Sequence, residues 1–286
     1  IVCSPTYKKI KENTDNTKIF YLRRWYRTIP PYLIALIVYS ILFSKFDLDT
    51  IKYLFFIQNI SDSFVQNEYF YVAWSLAIEE FFYLIFPIFL IFFNKNKFIN
   101  IILFFLSIIY LVKIIYLVLG VNEEFYRIGT FLRLDSIAFG VLVRIFFNQI
   151  KSNILNITCI IITCFSMIYF KENLINLKNF ELFLFVLLIQ IISINMIIIF
   201  INLNKFITND FMKKIFSLLS KQTYSIYLLH FAVIYLIEIN NFLLNTHWLI
   251  IFYLTFLFLF STLFYYLLEK IIIENRPNYT NKSDNN

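Results

Sequence analysis

The sequence predicts an all-α fold, a polytopic integral-membrane helix bundle, on three observations. Hydrophobic side chains make up 60% and charged ones 15% of the 286 residues, whereas soluble domains carry about 25% charged residues. Mean hydropathy is +0.73, concentrated in runs close to the roughly 20 apolar residues that cross a bilayer core. Basic residues collect in alternate polar breaks between those runs rather than evenly along the chain. This balance excludes a water-soluble enzyme, a disulfide-stapled secreted domain and a disordered chain. Cys3, Cys159 and Cys164 fit neither a metal-binding spacing nor a disulfide framework. Only three glycines accompany an abundance of Ile, Phe, Asn, Lys and Tyr. That bias reads as codon composition, so the aromatic content is weak evidence for an aromatic ligand site.

A membrane-length window places eight spanning helices, over residues 30–45, 71–93, 98–119, 128–147, 154–170, 180–201, 222–239 and 247–268. The first follows a basic stretch, the second carries two adjacent glutamates, and the fifth sits at the short limit for spanning. The apolar segment Ile51 to Ile60 is too short to cross and is expected at the interface. There is no internal repeat, long linker or second domain. The expected organisation is one transmembrane domain over 1–286, with a cytoplasmic basic segment at 1–24, membrane helices over 30–268 and a cytoplasmic tail at 269–286.

Orientation follows from the basic residues, because cytoplasmic loops carry the excess. With the N-terminus inside, only Lys45, Lys52, Arg127, Lys171 and Lys178 of the 25 basic residues fall outside, while Lys113 and Arg133 lie within helices. The other eighteen are inside. Both termini are therefore expected in the cytoplasm, in an inner or plasma membrane. The net charge of +7 is accounted for by topology and implies no nucleic-acid partner.

Ionisable residues within spanning helices are costly and tend to mark sites. Arg23-Arg24-Trp25-Tyr26-Arg27 precedes the first span, where guanidinium forks suit bidentate phosphate binding or simple anchoring. Glu79 and Glu80 lie a third of the way into their helix, about 100° apart around it. A carboxylate there is half of an ion pair or a proton acceptor. Arg133 and Asp135 are two residues apart, so each needs a partner elsewhere, and Arg133 with Glu79 is the pairing the sequence suggests. Tyr227 and His230 share a helical face. His230 is placed to relay protons or hold a hydroxyl, or to be satisfied by a carbonyl or a tyrosine. Lys113, Arg144 and Glu238 read as snorkelling side chains or a local polar groove, and His247 as an interfacial residue.

Taken in order, these motifs resemble the membrane acyltransferase 3 family, whose members O-acetylate surface polysaccharides and related sugars. The run Tyr21 to Tyr32 is similar to the family's arginine-rich block followed by proline and tyrosine. Trp74-Ser75-Leu76 through Glu79-Glu80-Phe81-Phe82-Tyr83 to Pro87 is similar to its most recognisable signature. Arg133-Leu134-Asp135 resembles its arginine-x-aspartate helix, Tyr224 to His230 its serine, tyrosine and histidine block, and Glu269-Lys270 its closing pair. The family typically has ten helices, with an essential histidine in the first. By this resemblance the chain begins near the end of the second helix and is expected to lack the first two. Neither His230 nor His247 takes that histidine's place.

The resemblance implies acetyl-CoA as a co-substrate met from the cytoplasm by Arg24 and Arg27, with Arg23 beside them. It implies a carbohydrate acceptor arriving from the outer face near Glu79, Arg133 and Asp135, with Glu79 rather than Glu80 aligned to the family's glutamate. His230 completes the candidate catalytic set, membrane lipid is the surrounding partner, and neither a bound cofactor nor a metal is required. Rival readings are a transporter or flippase of a lipid-linked sugar, a glycan polymerase, or an inactive remnant. The absence of inverted halves weighs against transport.

Overall fold

The computed structural model describes residues 15–60, 68–92, 95–120, 127–150, 152–171, 179–203, 209–240 and 246–279. No strand occurs among them. Cys3 and most of the basic segment at 1–24 lie outside the described residues, as does the end of the tail.

The helices are α1 (Asp15–Leu42), α2 (Leu48–Leu54), α3 (Ala73–Phe92), α4 (Lys95–Leu119), α5 (Thr130–Ile150), α6 (Asn153–Lys171), α7 (Asn179–Leu203) and α8 (Asp210–Ile239). Then α9 (Thr246–Phe264) continues through a π-helical turn, Tyr265–Glu269, into α10 (Lys270–Glu274). A helix occupies each of the eight expected spans. Among the described residues, four stretches are long and apolar enough to cross a membrane: Ile99–Leu119, Phe180–Leu203, Asp210–Ile239 and His247–Glu274. Of the others, α1, α3 and α5 carry the charged blocks, and α6 offers a shorter apolar stretch, Asn153–Ile168. Large apolar side chains such as Phe104, Ile162, Phe165, Phe200 and Leu254 are exposed, as lipid-facing helices require.

Three boundaries differ from expectation. Helix α1 begins at Asp15 rather than residue 30 and runs through Pro30 and Pro31, which offer no N–H to the carbonyls of Tyr26 and Arg27. The Thr28 hydroxyl donates to the Arg24 carbonyl (3.2 Å), and the Tyr224 hydroxyl donates to the Thr28 carbonyl (2.9 Å), tying this stretch down. A hydropathy window misses it because Asp15 to Ile29 carries Asp15, Lys18, Arg23, Arg24 and Arg27. Helix α8 begins at Asp210 rather than 222, capped by Asn209, whose side chain accepts the Phe211 N–H at 2.9 Å. Its 30 residues extend about 45 Å, well beyond a hydrocarbon core of about 30 Å. The last helix runs on from 268 to Glu274 through the π turn.

The chain forms two compact units. Among the described residues, one comprises 59–60 and 77–203, and the other comprises 15–58, 68–76 and 209–279. In the first, α4, α5 and α7 bury Leu106, Ile109, Leu134, Ala138, Val186 and Ile198. In the second, the core is aromatic. Tyr32, Tyr39, Tyr53, Tyr69 and Phe70 are all buried, with Tyr32 stacked on Phe56 (4.4 Å) and Tyr39 against Phe70 (4.6 Å). Their hydroxyls are bonded inside: Tyr32 donates to the Tyr53 carbonyl (2.7 Å), and Tyr69 bonds the hydroxyls of Thr50 (2.8 Å) and Ser40 (3.3 Å). The short α2 is held by a reciprocal cap between Asp47 and Thr50.

Candidate functional site

In the second unit the arginine block lies on α1, ahead of the two prolines. Arg23 donates from Nη1 to the Pro277 carbonyl (2.5 Å) and lies 4.9 Å over the Tyr279 ring, fastening the segment after α10 to α1. Arg276 therefore joins the block. Its pKa is lowered by burial and by the neighbouring charges of Arg23 and Arg27, the signature of guanidinium groups gathered on one side. Arg24 is half-buried and Arg27 exposed. Facing them is Glu269 at the end of the π turn, 2% exposed, which accepts the Ser225 hydroxyl at 2.5 Å and lies within electrostatic reach of Arg27. A π turn inserts one residue into the helical ladder, which re-aims the side chains that follow it.

The neighbourhood of His230 is also fixed. Its Nδ1 lies 2.7 Å from the Tyr227 carbonyl one turn earlier. A carbonyl only accepts, so Nδ1 carries the proton and Nε2 keeps its lone pair. The ring packs on Phe231 (4.4 Å between centroids). The Tyr39 hydroxyl accepts the Ala232 N–H (2.9 Å) and donates to the Leu228 carbonyl (3.1 Å), which brackets His230 on α8. Tyr227 in turn bonds the Ser75 hydroxyl, which donates to the Val72 carbonyl (3.1 Å). Two sequence blocks far apart in the chain thus meet in one hydrogen-bonded group.

In the first unit, Asp135 finds its partners on other helices, as its spacing from Arg133 requires. Asp135 is fully buried and its cation is Lys113. Lys113 is 1% exposed, with Nζ 2.5 Å from Asp135 Oδ2. Gln190 Nε2 (2.9 Å) and the Tyr110 hydroxyl (3.2 Å) donate to the same oxygen, and the Ser136 hydroxyl donates to Oδ1 (3.3 Å). Lys113 is thus no snorkelling side chain. Its stem starts too deep in α4 to reach either end, so its charge is neutralised in place. The expected Glu79 with Arg133 pair is not formed among the described residues. Glu79 is exposed, and the buried Nε of Arg133 has no partner. Glu80 is half-buried and engaged. Beside Arg133, one helical turn earlier, the buried Thr130 hydroxyl is unpartnered, as is Asn59 Oδ1, whereas the Thr130 N–H donates to the Asn59 carbonyl (3.0 Å).

Arg144, Glu238 and His247 are exposed, in keeping with terminal or interfacial positions. Cys159 and Cys164 are free thiols. A small hollow in the first unit, about 40 Å³ and walled by Phe82, Phe86, Ile102, Phe105 and Leu134, is apolar and carries no chemistry.

A family model described as an acyltransferase domain matches residues 10–267, nearly the whole chain, and ends just short of Glu269 and Arg276. The chain belongs to the acyltransferase 3 family. No curated protein and no solved structure matches it. Membership makes it an acyltransferase, and its apolar helices make it a membrane protein. The predicted residues of this family member are divided between the two units. Arg23, Arg24, Arg27 and His230 belong to the second unit, and Glu79, Arg133 and Asp135 to the first. Sequence reasoning missed Lys113 and Gln190 as the partners of Asp135, Asn59 and Thr130 beside Arg133, Tyr39 beside His230, and Arg276 beside the arginine block. A lysine and a glutamine interrupting long apolar runs were the available signal for the first two. The tyrosine carried none, being one of 20.

Proposed function

We propose that the protein transfers an acetyl group from acetyl-CoA to a hydroxyl of a cell-surface glycan, as a multi-pass protein of the plasma or inner membrane with both termini in the cytoplasm. The observation that carries this reading is the bond from Arg23 to the Pro277 carbonyl, which brings the neighbouring Arg276 to the arginine block of α1. Such a cluster suits a ligand with several phosphates, and a CoA thioester is the acyl donor that has them. The orphaned Thr130 hydroxyl, Asn59 Oδ1 and Arg133 Nε suit a partner rich in hydroxyl groups, because buried polar groups seek partners.

In the reaction, the acceptor hydroxyl oxygen bonds to the thioester carbonyl carbon and the carbon–sulfur bond breaks. The hydroxyl proton passes to Nε2 of His230 and from there to the departing thiolate, leaving an ester and free CoA. Fixing Nδ1–H on the Tyr227 carbonyl holds the imidazole in the tautomer that can accept a proton. The arginine block neutralises the phosphates and favours the oxyanion as it develops. Glu79 binds acceptor hydroxyls, and Asp135 holds its helix in place through Lys113.

The test is mass spectrometry of surface glycans from cells lacking the gene and cells complemented with the wild-type protein or its Glu79→Gln variant. The reading expects acetyl groups to vanish on deletion, return with the wild type and stay absent with the variant at equal membrane abundance. Full acetylation in a well-expressed Glu79→Gln strain removes Glu79 from the site. Unchanged glycans on deletion remove the acceptor assignment.

A further inference from the structure

The second unit holds a separate hollow of about 340 Å³ between the first turns of α8 and the π turn, lined by Lys214, Ser217, Lys221, Gln222, Tyr265 and Tyr266. Its volume falls at the lower end of small-molecule sites, about 300–1,000 Å³. Lys213 also lines it but is paired with Asp210 at 3.0 Å. Lys214 and Lys221 are exposed, and among the described residues no carboxylate answers them. With Ser217 they form one stripe of α8, the lysines being two turns and about 10 Å apart along the axis. That separation suits phosphates at two ends of a ligand better than a single phosphate.

Gln222 narrows the ligand further. It is 1% exposed, and neither its Oε1 nor its Nε2 has a hydrogen-bond partner. A buried amide with both groups unpaired is rare in folded proteins. A phosphate would satisfy only the N–H side. An adenine edge, with a donor and an acceptor side by side, satisfies both, the pairing by which glutamine recognises adenine elsewhere. Tyr266 is 49% exposed, meets Tyr265 edge-on (5.2 Å, 77°) and carries the Lys270 ammonium 5.7 Å from its centroid, an aromatic surface on which a base can stack beside a cation.

We propose that this hollow binds the phosphorylated adenosine end of the acyl donor, with Lys214 and Lys221 on phosphates, Gln222 on the adenine edge and Tyr266 against its face. Gln222 lines the hollow at 1% exposure, so pairing with the base requires a side-chain rotation. The same π turn carries Glu269 to the neighbourhood of Arg27, so a donor anchored here leaves its remaining phosphates to the arginine block. The inference rests on the reading of the donor as a CoA thioester.

The experiment is equilibrium binding of radiolabelled 3′-phosphoadenosine 5′-phosphate to the whole protein in phosphatidylcholine nanodiscs, with unlabelled acetyl-CoA and the guanosine analogue as competitors. The wild type is expected to bind it, release it to acetyl-CoA and prefer adenine. Lys214→Gln with Lys221→Gln, both at exposed positions, weakens binding at least tenfold with the base preference kept, whereas Gln222→Met removes the preference. No binding by the wild type, equal binding by the lysine variant, or displacement by phosphatidylglycerol but not by acetyl-CoA overturns the site. The two readings fail separately. Nucleotide binding with no acyl transfer to any glycan leaves the hollow and sinks the transfer, and transfer with an unchanged acetyl-CoA KM in the lysine variant does the reverse.

Discussion

Asp135 and Glu269 are both carboxylates buried among helices, at 0% and 2% exposure, and they are answered differently. Asp135 receives an ammonium, an amide, a phenol and a hydroxyl, all from the three packed helices α4, α5 and α7. Glu269 receives one hydroxyl, Ser225, and the charge of Arg27, which remains exposed. A charge satisfied wholly by packed protein groups serves the architecture, because little remains to offer a ligand. A charge that shares an exposed cation is coupled to whatever that cation binds. The contrast separates the polar residues of this membrane protein into those that hold it and those that work.

The sharpest way to break the contrast is Lys113→Met. It strands Asp135 without its cation and is expected to cost about 3–5 kcal/mol, read as a fall in melting temperature of the detergent-purified protein. Pairing it with Asp135→Leu should recover most of that loss. A single variant as stable as the wild type would remove Lys113 from the architecture.

Next in size is Glu269→Gln, which keeps a group for Ser225 but deletes the charge. Acetyl transfer should fall by tenfold or more, about 1.4 kcal/mol or above in barrier, with the melting temperature nearly unchanged. A stability loss as large as that of Lys113→Met would merge the two carboxylates into one class. Arg133→Gln should raise the acceptor KM about tenfold, the size expected when a charged hydrogen bond to a ligand is removed, and leave the donor KM alone. The smallest effect belongs to Tyr39→Phe. Losing the hydroxyl that bridges Leu228 and Ala232 should cost about 1 kcal/mol of stability and reduce kcat rather than KM, since it acts through the turn that carries His230.

The helical architecture was legible because hydrophobic runs of bilayer length leave few alternatives, and all eight runs became helices. Boundaries were less so. Asp15 to Ile29 and Asp210 to Lys221 are too polar for a hydropathy window, yet Arg23, Lys214 and Lys221 lie on them. The arginine block, Glu79, Asp135 and His230 were visible as polar residues where apolar ones are expected. Their partners were not, because partnership depends on which faces meet. Arg133 looked like the match for Glu79 by depth alone, while Lys113 on α4 takes Asp135 and leaves the Arg133 Nε unpaired. Nothing in one-dimensional order marks Tyr39 as the residue that brackets His230, or Gln222 as an amide with neither group bonded.

The most direct test of the account is the stoichiometry of donor use. Inverted membrane vesicles containing the protein are supplied with acetyl-CoA, and free thiol released is measured against acetyl groups gained by the glycan. The account predicts one thiol for each acetyl ester, with both lost together in Arg23→Gln/Arg27→Gln. Glycan crossing the membrane with no thiol released would contradict it and make the buried charges a transport path.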